Sequence, residues 1–242
     1  MQRRVDTPPV AARACAGRCL AAAALILLAV GLAGCEPYVE GNGVLREETR
    51  EVPAFVGLAL SDGIQATVTA GAAQQLVKVS GDENVLQYVD TVVVERASVG
   101  RVLEVKTESS YQSRNPLRVS VSVPAVSYLA ATGASPVTVT GAAATDFTVE
   151  AADGSHLVLS GGGGANLAVT LAGGQHGGAS LDARGYPVGD AQVRLTAGAR
   201  AQLAAAGSVQ GTVAGGSVLE NVGEGACTVT ADESSAVTCS AP

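Results

Sequence analysis

From Glu51 onward apolar and polar residues alternate with a period of two, and the 3.6-residue rhythm of a helix is almost absent. Ile64-Gln65-Ala66-Thr67-Val68, Leu103-Glu104-Val105-Lys106 and Leu117 to Val123 each place every second side chain on one face, which predicts half-buried strands. Ser61-Asp62-Gly63, Ser80-Gly81-Asp82, Val99-Gly100 and Asn115-Pro116 separate them with turn chemistry. One stretch, Asp82 to Val89, supports a helical turn, with Val85, Leu86 and Val89 on one side.

Beyond Thr132 a frame repeats: a glycine, a small residue, a short alternating strand, then glycine again. It opens at Gly133, Gly154, Gly178, Gly198 and Gly216, spaced 21, 24, 20 and 18 residues apart. A period near 20 predicts a β-solenoid, one coil per repeat, in which a coil buries its apolar residues only against its neighbours. The strands between the repeats, Phe147 to Val149, Leu167 to Leu171 and Val193 to Leu195, would form another side of each coil. An antiparallel β-sandwich is the alternative that strand spacing leaves open. Composition favours a narrow coil: the chain holds 30 Gly, two Phe and no Trp, so little bulk has to fit inside and glycine is plentiful for corners.

The N-terminus reads differently. Arg3, Arg4, Arg13 and Arg18 precede the apolar run Leu20 to Val30 and a small-residue stretch, the pattern of a secretory signal over residues 1–34. The run is short for a membrane span, which takes about 20 apolar residues, although a retained anchor helix is the competing reading. Leu32-Ala33-Gly34-Cys35 resembles a bacterial lipobox, which implies cleavage before Cys35 and acylation of that cysteine. Three acyl chains hold a protein to a bilayer far more firmly than one. Glu36 follows where an Asp would mark inner-membrane retention, so the resemblance points to the outer membrane. Residues 35–45 then form a lipidated tether, 46–130 an N-terminal β region, 131–225 the glycine-rich repeats and 226–242 a terminal strand pair.

With the signal removed, Cys227 and Cys239 are the remaining unacylated cysteines, and in an oxidising compartment an even pair predicts a disulfide. Two free or metal-binding thiols are the alternative. The full chain has a net charge of −7, and loss of the signal's four Arg and one Asp makes it more acidic. Such a surface repels nucleic acid.

Chemistry is sparse. Asp153, Asp182 and Arg184 lie in or beside repeat strands, and Asp182 and Arg184 share a strand face, as a carbohydrate-active β-helix would need; a surface ion pair is the plainer account. His156 and His176 are about one coil apart, yet stand on opposite sides of their repeat glycines, which argues against a stacked metal site. Gly161 to Gly164 run into Ala-Asn instead of a calcium-binding repeat and read as a turn. No nucleophile motif or phosphate loop occurs, so neither a catalytic residue nor a metal or cofactor is expected. Tyr111 and Tyr186 lie in turn-like settings where exposure would suit contact with a protein or glycan partner.

Three blocks resemble the bacterial head GIN domain family of auto-transporter adhesin heads: Arg50 to Leu60 followed by Gly63 to Val68; Val79 to Leu86 with the strands of Val92 to Lys106; and Val119 to Pro124 leading into Thr132-Gly133-Ala134-Ser135. The resemblance spans about residues 46 to 225 and implies a right-handed β-helix-like fold, an envelope location and no established enzymatic activity. Where that family repeats Ser-Gly-Ser-Gly, this chain reads Thr-Gly-Ala-Ser, Asp-Gly-Ser-His and Gly-Gly-Ala-Ser. The expected function is a noncatalytic envelope lipoprotein presenting its β-helix for adhesion or protein contacts; a carbohydrate-active enzyme and a structural spacer are the alternatives. Radiolabelled palmitate is expected to enter the wild-type chain and not the Cys35→Ser variant; label retained in the variant would remove the anchor assignment.

Overall fold

The computed structural model describes residues 38–240; the expected signal segment and Cys35 lie outside them. Two large sheets, one of nine strands and one of ten, form opposite faces of a β-solenoid. Each coil sends one strand up the nine-stranded face, turns a corner, and returns along the ten-stranded face. Parallel pairing between successive coils sets this apart from an antiparallel sandwich.

The period-two pattern accounts for the core. On the nine-stranded side Leu103, Leu58, Leu129, Val149, Val169 and Val193 stack in register from coil to coil, all buried. On the ten-stranded side Val137, Leu157, Leu181, Ala201 and Leu219 form the equivalent inner column. Removing apolar surface from water contributes roughly 25 cal/mol per Å², and the in-register columns join that burial into one continuous core.

The coils do not follow chain order throughout. The coil of Gly57–Leu60 and Gln65–Ala70 lies between the coil of Gly100–Thr107 and Arg118–Val123 and the coil of Tyr128–Ala131 and Pro136–Thr140. Six coils then follow in sequence from Tyr128 to Cys239. The other end is closed by antiparallel strands: Leu45–Arg50 and Leu76–Asp82 extend the ten-stranded sheet, and Val89–Arg96 forms the edge of the nine-stranded one. The helical turn expected between Asp82 and Val89 is present as Glu83–Leu86, with Val85 and Leu86 buried. Asp82, itself buried, accepts hydrogen bonds from the Ser113 hydroxyl, the Arg114 backbone N–H and the Asn115 amide, which ties this cap to the loop that enters the first coil in space.

The corner between the two faces explains the repeat frame. Asp62 and Gly63, Gly133 and Ala134, Asp153 and Gly154, Ala197 and Gly198, and Gly215 and Gly216 all have positive φ at two successive positions, the signature of a type I′ turn. The residue that follows enters the core beneath the corner: Ser135, Ser155, Ala199 and Ser217 are fully buried there, and Ile64 takes the same place after Asp62 and Gly63. Glycine can occupy either corner position, so counting from glycine to glycine miscounts the coil. Pro136 faces His156, which makes the first spacing 20 residues and not 21.

The structure corrects the expectation for Tyr186. It is fully buried, edge-on to Phe147 at 5.6 Å between ring centroids. Its corner turns inward because the preceding coil's glycine run leaves space: a Cβ on Gly164 would come within 3.3 Å of the Tyr186 hydroxyl. Those glycines, read from sequence as a turn, also make the pocket for this ring.

Cys227 and Cys239 are joined by a disulfide across the last coil, linking Ala226–Ala231 to Ala236–Cys239. Closing a loop with a sequence separation of 12 stabilises by about 3 kcal/mol in the chain-entropy model. Because coils interact only with neighbours, reduction is expected to speed amide hydrogen exchange over residues 226–239 while leaving 128–171 unchanged; uniform acceleration would show that the solenoid unfolds as a single unit.

Candidate functional site

Outward-facing positions on the nine-stranded face also stack in rows. One row reads Glu104, Ala59, Ala130, Glu150 and Thr170 across five adjacent strands. Two alanines between two glutamates make a depression, and it opens into a groove of about 440 Å³. Ala59, Ala130 and Ala152 line its floor, Glu104 and Lys106 one wall, and Glu150 and Thr170 the wall opposite.

One side of the groove is a hydrogen-bonded ridge. Tyr128 alternates with the inward Leu129, so it belongs to the outer surface, yet it is only 2% exposed. Arg96, from the edge strand, folds over it with the guanidinium carbon 5.5 Å from the ring centroid. Arg96 Nη1 donates to the Tyr128 hydroxyl at 2.7 Å, and Nη2 donates to Glu104 Oε1 at 2.8 Å. The Tyr128 hydroxyl in turn donates to Glu150 Oε2 at 2.7 Å. Gly57 permits the arrangement, since a Cβ there would lie 3.0 Å from both Tyr128 Cδ1 and Val102 Cγ2.

Electrostatics follow from this packing. Burial and the hydrogen bond to Glu150 push the Tyr128 hydroxyl up to about 12, against the opposing pull of Arg96. The phenol therefore stays a neutral donor at physiological pH, and the hydrogen bond to Glu104 keeps Arg96 charged well past that range. A second depression of about 340 Å³, lined by Asn166, Asp190, Gln192, Ser208 and Gln210, lies further along the same face.

The residues singled out from sequence are placed elsewhere. Tyr111 is half-buried on the short strand Tyr111–Gln112, and its hydroxyl donates to the Asp62 carbonyl at 2.9 Å, pinning the first corner. Asp182 and Arg184 meet as a bidentate pair, Nε to Oδ1 at 3.0 Å and Nη2 to Oδ2 at 2.7 Å, and the hydrogen bond from Arg184 holds the Asp182 carboxyl below the usual range. Both oxygens are taken, which leaves Asp182 poorly suited to act as a base. His156 Nδ1 contacts the Ser180 hydroxyl at 2.7 Å, but Asp182 turns to Arg184 and does not orient the imidazole. His176 lies on a glycine hairpin, Gly173–Gly174 with Gly177–Gly178, inserted at the corner of its coil. Its backbone N–H and Nδ1 both contact Asp153, at 2.8 and 2.9 Å, so the two histidines serve different elements. Among the described residues no three His, Cys, Asp or Glu side chains converge as a metal site would require.

Sequence reasoning passed over Arg96, Glu104, Tyr128 and Glu150. The signal for Tyr128 was its position: a large polar aromatic at an outward strand position beside Ala130. Arg96 and Glu104 carried none, because their meeting depends on which strands become neighbours.

A family model described as "Putative auto-transporter adhesin, head GIN domain" matches residues 54–225. No curated protein matches the chain. Among solved structures, a putative adhesin from Bacteroides fragilis is similar with a TM-score of 0.55 at 10% identity, covering 84% of this chain and 100% of that one. A putative adhesin from Parabacteroides merdae gives 0.52 at 15% identity, covering 85% and 100%. A putative lipid binding protein from Parabacteroides distasonis gives 0.54 at 10% identity, covering 84% and 100%. At these identities the likeness is one of fold.

The ridge makes a pH-dependent prediction. A tyrosine whose ionisation is raised to about 12 in the folded chain, against about 10 when unfolded, contributes stability that is complete below pH 10 and is lost as pH rises toward 12. Chemical denaturation from pH 9 to 12 is expected to show a smaller alkaline loss of stability in Tyr128→Phe than in wild type, with Tyr128→Phe less stable at pH 8 by about 1–3 kcal/mol; parallel curves would remove the hydroxyl's assigned role.

Proposed function

The chain belongs to the head GIN domain family, and from that premise we propose that it is a noncatalytic, lipid-anchored envelope protein whose nine-stranded face contacts a partner. The observation that carries this reading is that both the 440 Å³ groove and the 340 Å³ depression open on that face. A solenoid face is rigid and its outward rows are free of core duties, so it can hold a fixed pattern of polar groups against a partner without the ordering cost of a mobile loop. The adhesin names of the B. fragilis and P. merdae structures agree with a contact role.

The carbohydrate-active alternative finds less support. A glycosidase holds an acid and a base on either side of a scissile bond. Asp182 is occupied by Arg184, and the Arg96 and Tyr128 side chains link Glu104 to Glu150.

Anchoring through Cys35 to the outer membrane completes the proposal; the tether expected over residues 35–45 is shorter, because Val39–Glu40 already pairs with Tyr111–Gln112 and Leu45 begins a strand of the ten-stranded sheet. Protease shaving and surface labelling of intact cells, with Cys35→Ser as the unanchored control, test it. Labelling from outside is expected for an adhesin. Full protection in intact cells, with labelling only after the outer membrane is opened, would replace adhesion by a contact with a periplasmic partner.

A further inference from the structure

We propose that the groove between Glu104 and Glu150 receives a lysine side chain of a partner protein, its methylene stem lying on Ala59 and Ala130 and its ammonium meeting Glu150. This rests on the contact reading above and names the group that reading leaves unspecified.

Glu150 is the central observation. Its Oε2 accepts from Tyr128, a neutral donor, and among the described residues no Lys or Arg nitrogen lies within ion-pairing distance of it. Glu104 differs, being neutralised by Arg96 at 2.8 Å. The groove therefore contains one fixed carboxylate with no direct ion pair, which Arg96 reaches only through the Tyr128 hydroxyl, beside a floor of alanine methyl groups. Lys106 belongs to the far wall, beyond the alanine floor from Glu150, and stands across its strand pair from Asp90.

The geometry selects an ammonium over a guanidinium. An arginine reaches its best pairing through two parallel hydrogen bonds to both oxygens of one carboxylate. Tyr128 already holds one oxygen of Glu150, and Arg96 one oxygen of Glu104, so neither offers a fork. An ammonium is a compact charge with three rotatable donors, which suits the remaining Glu150 oxygen together with the Thr170 hydroxyl on the same wall. A lysine stem is apolar and covers apolar surface while its head stays polar, which matches an alanine floor bounded by a carboxylate.

The probe is a fluorescent peptide of alternating alanine and lysine, titrated against the full chain, with its lysine-acetylated counterpart in parallel. Glu150→Gln and Ala130→Leu are each expected to weaken binding of the lysine peptide by about tenfold, while Glu224→Gln, an equal charge change on an exposed corner away from the groove, leaves it unchanged. The acetylated peptide is expected not to bind. Equal weakening by Glu150→Gln and Glu224→Gln would overturn the proposal in favour of general charge attraction, as would undiminished binding in Ala130→Leu or no binding at all. Photocrosslinkers at Gln192 and Gln210 separate the two ideas: envelope partners captured there equally by wild type and Ala130→Leu, with the peptide result negative, would leave the contact face standing and remove lysine as its ligand.

Discussion

No coil of this protein can bury its own interior. Two short strands and two corners enclose a space only one side chain deep, and what shields Val149 from water is Leu129 on one side and Val169 on the other. In-register parallel stacking is therefore the constraint from which the rest follows. It demands an unbroken apolar column on each inner face, tight corners at most turns, and coils of nearly equal length. It also leaves outward positions unconstrained by packing, and this is where the chain can place Arg96, Tyr128 and Glu150.

The same constraint explains which parts of the sequence were legible. A period of two is written into any half-buried strand, so the strands around Ile64–Val68, Leu103–Lys106 and Leu117–Val123 could be read directly, as could the helical turn at Val85 and Leu86. A coil length near 20 was visible because five of the corners turn through two successive positive-φ positions, four of them followed by a small buried residue. The order of coils was not visible. Nothing in Gly57–Ala70 marks it as lying between the coil of Gly100–Val123 and that of Tyr128–Thr140, because all carry the same alternation and parallel partners are chosen by long-range fit.

The site was harder to read than the fold for a related reason. Sequence spacing brings Asp182 and Arg184 together, two apart on one strand, and that local pair forms. The groove is assembled from the outward positions of successive coils and an edge strand that folds back, so its members are separated by up to half a domain in sequence. Tyr186 failed for the opposite reason: a turn of Gly, Tyr and Pro normally projects outward, but here the neighbouring coil's glycines left a hole that only an inward ring fills.

The misplaced first coil has a bearing on the order in which the chain can fold. Both faces of the coil formed by Gly57–Leu60 and Gln65–Ala70 are covered by segments made later, one ending at Val123 and the other at Thr140. A ribosome releasing the chain from its N-terminus thus delivers an incomplete stack until residue 140 has emerged, and the early apolar strands have nothing to close upon. Loop closure over such separations is slow. Topology alone makes the leading third wait for strands that the ribosome makes later.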